Sequence, residues 1–432
     1  MKHKTSQTPC GNVSHVISLV LVSLILCCSA FGVNSALVGP GYTDVSPHQL
    51  VRTSGNVLYV VAPNGQAFAR NTVAKLLVSK ANQPGIPTSY AVQDLTHSPG
   101  TPKTGITTTP GVATSASAID GSNVIHSVWI DSQGLKTQGN VYYGQFDTTT
   151  NTWLSATLLD GATGWTGYVT GDEGVALALD TNGNPHVFWT AKVGALLRIR
   201  YSNRIGGVWS APVLADETAF TLKNAWHPTM AFAPNGDILL AYIDGVGTYS
   251  HDGTVRTRLR HANGTWDGTQ SIPVTNVYTG VDNGPSLLIT ADGTQHISFC
   301  GHTNDIQYWF NTGTGWTSDQ PLTGGLAQLT HDPSLGPDGA GGIYIYGHGT
   351  PVPAPRGIGA NLYRFRKPAG GTWGAWTEIV PDPNTATANH VDCSVSTRWS
   401  QFFFNSPGTV DFAYWTELTP GASHYTIYTG TN

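Results

Sequence analysis

One two-strand phrase recurs along this chain, and its recurrence limits the folds open to it more than any other feature. Its clearest copy is Gly174 to Trp189, GVALALDTNGNPHVFW. Alternating apolar residues (Val175, Leu177, Leu179, then His186 and Phe188) suit strands rather than a helix. Between them the Asp180-Thr181-Asn182-Gly183 turn carries the Asn-Gly pair that tolerates positive φ in a tight hairpin. The phrase returns as Ser115–Trp129, His227–Tyr242, Gly284–Phe299 and Asp332–Tyr346, with fainter copies at Ser46–Tyr59 and Cys393–Trp415. After the hairpin comes a third strand and then a segment bearing tryptophan, as in Arg200-Tyr201-Ser202 followed by Gly207-Val208-Trp209. Trp153, Trp266, Trp316 and Trp373 occupy the corresponding place in other copies.

Four strands per repeat, at a period of about 45 to 60 residues, is the signature of propeller blades. A parallel β-helix needs shorter rungs, and a sandwich does not repeat at this period. The expectation is therefore an all-β, seven-bladed β-propeller of four-stranded blades. The last repeat stops at its third strand, Thr426-Ile427-Tyr428, so the N-terminal segment Leu37 to Val45 is expected to supply the missing strand. Such a splice removes open sheet edges.

Composition agrees with a turn-rich, aromatic chain: Gly 51, Pro 26, Trp 13 and Tyr 17, with 11% charged residues. A net charge of −5 offers no basic excess to neutralise phosphates, which argues against nucleic-acid binding. At the N-terminus Lys2 and Lys4 precede the apolar run Val16 to Ala30, then small residues through Ala36. That order is a secretory signal, and the run is short for a membrane span. Residues 1–36 are thus expected to be a signal peptide and 37–432 a single propeller domain, exported, monomeric and without a membrane span.

In a propeller, the loops entering the first strand of each blade share a face with those joining the second and third strands. That face collects Glu173, Trp226, His227, His331, Asp332, His390 and Asp392 from the first set. His251, His302 and His348 come from the second. Turn chemistry favours Gly, Asn, Asp and Ser, so it does not explain six histidines in these loops. By contrast His126, His186 and His296 sit where other repeats carry Leu239 or Tyr344, which marks a packing position.

Three readings of the loop histidines compete. One is plain loop polarity. A second is metal binding: His227, His331 and His390 with Asp332 or Asp392 would suit zinc, manganese or calcium. Cys300 and His302, two apart at a strand end and joined by Cys393, would suit zinc. The third is general acid–base catalysis on a uronate, in which a base removes the proton α to the carboxylate and an acid protonates the leaving oxygen. His227 or His331 would be the base, Tyr242 or Tyr249 the acid, and an arginine from Arg198, Arg200, Arg256 or Arg258 the cation facing the substrate carboxylate, with Tyr242 and Arg258 preferred and Glu173 on the same rim. Trp226, His390, Asp332, Asp392 and His348 would contact the sugar chain. Arg256, Arg258 and Arg260 alternate along one strand and so share one face.

The segment Ser202-Asn203-Arg204-Ile205-Gly206-Gly207-Val208-Trp209 resembles the Asp-box, S-x-D-x-G-x-x-W, of sialidase-like propellers, with Arg204 at the Asp position. Sialidases themselves use an arginine triad on the first strands, where this chain offers only Arg52 and Arg398. The general pattern is also similar to secreted propeller polysaccharide lyases such as ulvan lyases, whose His/Tyr/Arg chemistry matches the loop inventory. The resemblance implies a polysaccharide or glycan as partner and a carbohydrate-active enzyme; the alternative is a propeller that binds glycan or protein without turnover.

Overall fold

The computed structural model describes residues 34–41, 50–63, 76–94, 112–131, 139–164, 174–217, 223–246, 252–274, 277, 284–301, 306–320, 326–329, 333–351, 361–380, 411–417 and 425–431. Every regular element among them is a β-strand. Blade 1 comprises Leu50–Arg52, Val57–Pro63, Leu76–Pro84 and Tyr90–Asp94, and blade 2 comprises Val112–Ile119, Val124–Asp131, Gly139–Asp147 and Thr152–Gly164. Blade 3 has Val175–Leu179, Pro185–Val193 and Leu196–Ile205, with a fourth strand in two pieces, Val208–Trp209 and Val213–Leu214. Blade 4 has Asn224–Phe232, Ile238–Gly245, Thr254–Arg260 and Gln270–Ser271; blade 5 has Ser286–Ile289, Gln295–Cys300, Ile306–Asn311 and Thr317–Ser318. In blade 6 both Leu326–Leu329 and Ser334–Pro337 pair with Ile343–Pro351, followed by Asn361–Lys367 and Thr377–Val380.

The fold is an all-β propeller, and the expected count of seven blades is corrected to six blades of four strands. The last repeat contributes Asp411–Glu417 and Tyr425–Thr431 to a sheet of three strands, whose third member is Asn34–Gly41 from the N-terminus. Among the described residues this sheet has three strands, one of them from the other end of the chain, so counting the last repeat as an equal of the others overstates the blade number. Its first segment, Cys393–Ser396, lies outside the described residues. The N-terminal strand closes this sheet slightly earlier in sequence than expected, with Asn34 opposite Thr431 and Gly41 opposite Tyr425.

The core lies in layers between neighbouring blades. Because side chains alternate along a strand, each blade gives one set to the blade before it and the other to the blade after it. Phe188, Ile199 and Tyr201 of blade 3 pack against Met230, Leu240 and Tyr242 of blade 4. Trp226, Ile243 and Val255 of blade 4 pack against Leu287, Ile297 and Phe299 of blade 5. The same arrangement joins blades 2 and 3 and blades 5 and 6.

The second-strand histidines belong to these layers, as expected of a packing position. His126, His186 and His296 are buried, and each Nδ1 lies 2.7 Å from a tyrosine hydroxyl on the third strand: Tyr143, Tyr201 and Tyr308. His126 Nε2–H donates to Asp120 at 3.3 Å, which leaves its Nδ1 to accept from the tyrosine. Asp120 and Asp180 also accept backbone N–H bonds that hold the hairpin turn. A cation from the next blade covers each tyrosine ring: Arg204 at 6.0 Å, Arg260 at 4.9 Å and Lys367 at 5.6 Å. Burial holds all three imidazoles below their ordinary pKa, His186 and His296 at about 4.

Candidate active-site row on blade 4

The first strand of blade 4 carries the most unusual backbone among the described residues. Four non-glycine residues of the described chain have positive φ; Asn56, Asn123 and Asn151 are asparagines, which tolerate it, and the fourth is His227 at 55°. Pro228 follows, and a residue before proline is normally driven towards extended geometry. The cause is visible in the register. Trp226 pairs with Ile243 and Thr229 with Ala241, so His227 and Pro228 together stand opposite Tyr242. This is a β-bulge, a device that redirects a side chain and is frequent beside active sites. His227 is buried.

Tyr242 in turn pairs with Arg256 on the third strand. Directly paired residues of an antiparallel sheet project from the same face. Tyr242 and Arg256 are therefore on one face, and the His227–Pro228 bulge stands opposite them, so His227, Tyr242 and Arg256 form one row of backbone positions across three adjacent strands. The row lies close to the edge where the first strand enters and the second leaves, since Asn224 pairs with Gly245 and Asp244 with Thr254. Arg256 Nε donates to Asp244 at 2.7 Å, and its Nη1 donates to Ser271. Asp244 is 3% exposed, and among the described residues its second oxygen has no hydrogen-bond partner. Burial raises the Tyr242 phenol above the ordinary tyrosine value, so it holds its proton at neutral pH.

The arginine beside Tyr242 is thus Arg256, whereas sequence reasoning favoured Arg258. Arg258 pairs with Leu240, one step further from the edge. Its Nη1 donates to the Ala215 carbonyl of blade 3 at 2.8 Å, its Nε to the Asp267 carbonyl at 2.9 Å, and the guanidinium lies 5.0 Å over the Trp266 ring. Its geometry is that of a bridge between blades. Counting residues from the hairpin to the next strand would have singled out Arg256, had the loop length been known. Trp226 lies in the layer between blades 4 and 5 and Tyr242 in the layer between blades 3 and 4; like His227, each is 2% exposed.

Of the remaining expected site residues, Glu173, Tyr249, His331, Asp332, His390, Asp392, His302 and Cys393 lie outside the described residues. His348 is described in its backbone alone, paired with Leu362. Cys300 is buried at a strand end. Among the described residues no three His, Cys, Asp or Glu side chains are grouped to hold a metal, and no helix is long and apolar enough to cross a membrane.

No protein-family model matches this chain, and no curated protein matches it in sequence. Solved structures do match. An ulvan lyase from a new family of polysaccharide lyases, bound to -[GlcA(1-4)Rha3S]-, aligns at 13% identity over 93% of this chain and 97% of its own, with a TM-score of 0.54. The polysaccharide lyase Uly1 aligns at 12% identity over 92% and 97%, TM-score 0.48. A protein of unknown function from Dyadobacter fermentans aligns at 11% over 74% and 94%, TM-score 0.49. At such identities a likeness speaks for architecture alone, and this chain shares its propeller architecture with the ulvan lyase.

Proposed function

We propose that the protein is an exported carbohydrate-active enzyme, an eliminating polysaccharide lyase on an acidic polysaccharide, working from the face on which the His227 row lies. The observation that carries this reading is His227, a buried histidine in a left-handed backbone conformation, in one row with Tyr242 and Arg256. Strained residues persist where the surroundings hold them, and they concentrate at functional sites. The row contains the three groups that β-elimination of a uronate needs. His227 would take the proton α to the carboxylate, Tyr242 would donate to the leaving oxygen, and Arg256 would face the substrate carboxylate. Asp244 orients Arg256 through the bond to Nε. The ulvan lyase that shares the fold is described with a glucuronate-containing ligand, which agrees with this reading.

A glycan-binding propeller without turnover would repeat its binding residues from blade to blade. Here the residues that repeat are the buried His–Tyr pairs, which face neighbouring blades. Incubation with a panel of uronate polymers, monitored by ultraviolet absorbance of the unsaturated product, tests the proposal. Turnover lost in His227→Ala and retained in Arg258→Ala is the expected result. No product from any polymer, or full activity in His227→Ala, would overturn it.

A further inference from the structure

We infer that the leader is cut between Ala30 and Phe31, upstream of the closing strand, rather than near Ala36. The inference rests on the export reading above and adds the place of processing. Asn34–Gly41 runs antiparallel to Tyr425–Thr431 and closes the sheet formed by the end of the chain. Asn34, Ser35, Ala36 and Leu37 pair in unbroken succession with Thr431, Gly430, Thr429 and Tyr428. The register then shifts at Val38, and the remaining pairs are Gly39 with Ile427, Pro40 with Thr426 and Gly41 with Tyr425. Glycine and proline are the weakest strand formers, and proline has no N–H to give to a ladder. A cut after Ala36 would remove three of the seven pairs, all from the unbroken run, and leave the closing sheet to Leu37, Val38 and the Gly39-Pro40-Gly41 end. The strand that joins the two ends of the chain would keep one pair of its unbroken run, with the rest in its Gly- and Pro-bearing end.

The sequence offers a cut that spares the strand. Signal peptidases require small residues at the first and third positions before the scissile bond, just beyond the apolar run. Cys28 and Ala30 meet that requirement, and the run of large apolar residues ends at Leu26. Hydrolysis of the Ala30–Phe31 amide by a signal peptidase adds one water: its hydroxyl ends on the Ala30 carboxylate and its proton on the Phe31 amine. The mature chain then begins three residues before Asn34, with the whole closing strand intact.

Intact-mass spectrometry of the full-length gene product, recovered from the medium of a secreting host, tests the placement. The expected mass corresponds to residues 31–432. A mass beginning at Leu37, or at any residue other than Phe31, overturns it; a product that keeps Met1 overturns the export reading as well. A second measurement tests the register independently of the peptidase. Deleting residues 31–36 from the full chain should lower the thermal midpoint of the secreted protein by several degrees or abolish soluble product. An unchanged midpoint would show that Asn34–Ala36 do not hold the closing sheet.

Discussion

Arg256 donates from Nε to Asp244 at 2.7 Å, and both side chains are largely removed from solvent. Breaking a buried pair by removing one partner leaves an uncompensated charge and costs about 3–5 kcal/mol, whereas removing both costs much less. Asp244→Asn and Arg256→Gln should each lower stability by that order, and the double substitution should recover part of the loss. Urea unfolding of the four proteins in a double-mutant cycle measures the coupling. Additive losses would mean that the two groups do not act as a pair.

Arg258 gives the contrasting case on the same strand. Its donors are committed to the Ala215 and Asp267 carbonyls and its plane to Trp266. Hydrogen bonds from charged donors contribute about 1.5–3 kcal/mol each, so Arg258→Ala should destabilise by about 2 kcal/mol or more. Its turnover, measured on folded protein, should stay near that of the parent. A loss of turnover with unchanged stability would return Arg258 to the catalytic row in place of Arg256.

The His–Tyr pairs make a pH prediction whose sign follows from burial. His186 and His296 are neutral in the folded protein, with pKa values of about 4, while in the unfolded chain they protonate near 6.5. Below 6.5 the unfolded state binds more protons, so stability is full above that pH and declines as the pH falls towards 4. Each histidine contributes about 3 kcal/mol over that window. The facing groups are Asp180, Tyr201 and Arg260 for His186, and Thr290, Asp292, Tyr308 and Lys367 for His296. Replacing His186 by leucine, the residue at this position of blade 4, should flatten the decline. Urea midpoints measured between pH 4 and 7 would reveal it; an equal slope in the variant would remove His186 as its source.

The hairpin repeat made the propeller legible, because turn chemistry and alternation are local properties and survive in each copy. Blade number was less legible. A worn repeat with a lone Gly408 looks like a blade in sequence, whereas the sheet formed there borrows its third strand from the other end of the chain. The packing role of His186 could be read from Leu239 at the equivalent position. Its tyrosine partner could not, since Tyr201 reaches it only after two strands pair. For the candidate site, residue types were legible and adjacency was not. His227 and Tyr242 could be picked as a base and an acid, but the bulge that sets them opposite each other is a register property. Choosing Arg256 over Arg258 needed the same register.

His227 allows its backbone to be tested apart from its side chain. At φ 55° a residue with a Cβ is disfavoured relative to glycine, by about 1–2 kcal/mol for the left-handed conformation. His227→Ala removes the imidazole and keeps the strain; His227→Gly removes both. Both variants lose the same packing beyond Cβ and should be inactive on a uronate polymer if the imidazole is the base. Their stabilities should differ, the glycine form exceeding the alanine form by about 1 kcal/mol after the extra flexibility of unfolded glycine is counted. Denaturant unfolding of the two side by side measures that gap. Equal stabilities would mean that the bulge holds no strain at this position. The left-handed conformation of His227 would then be no sign of a functional site.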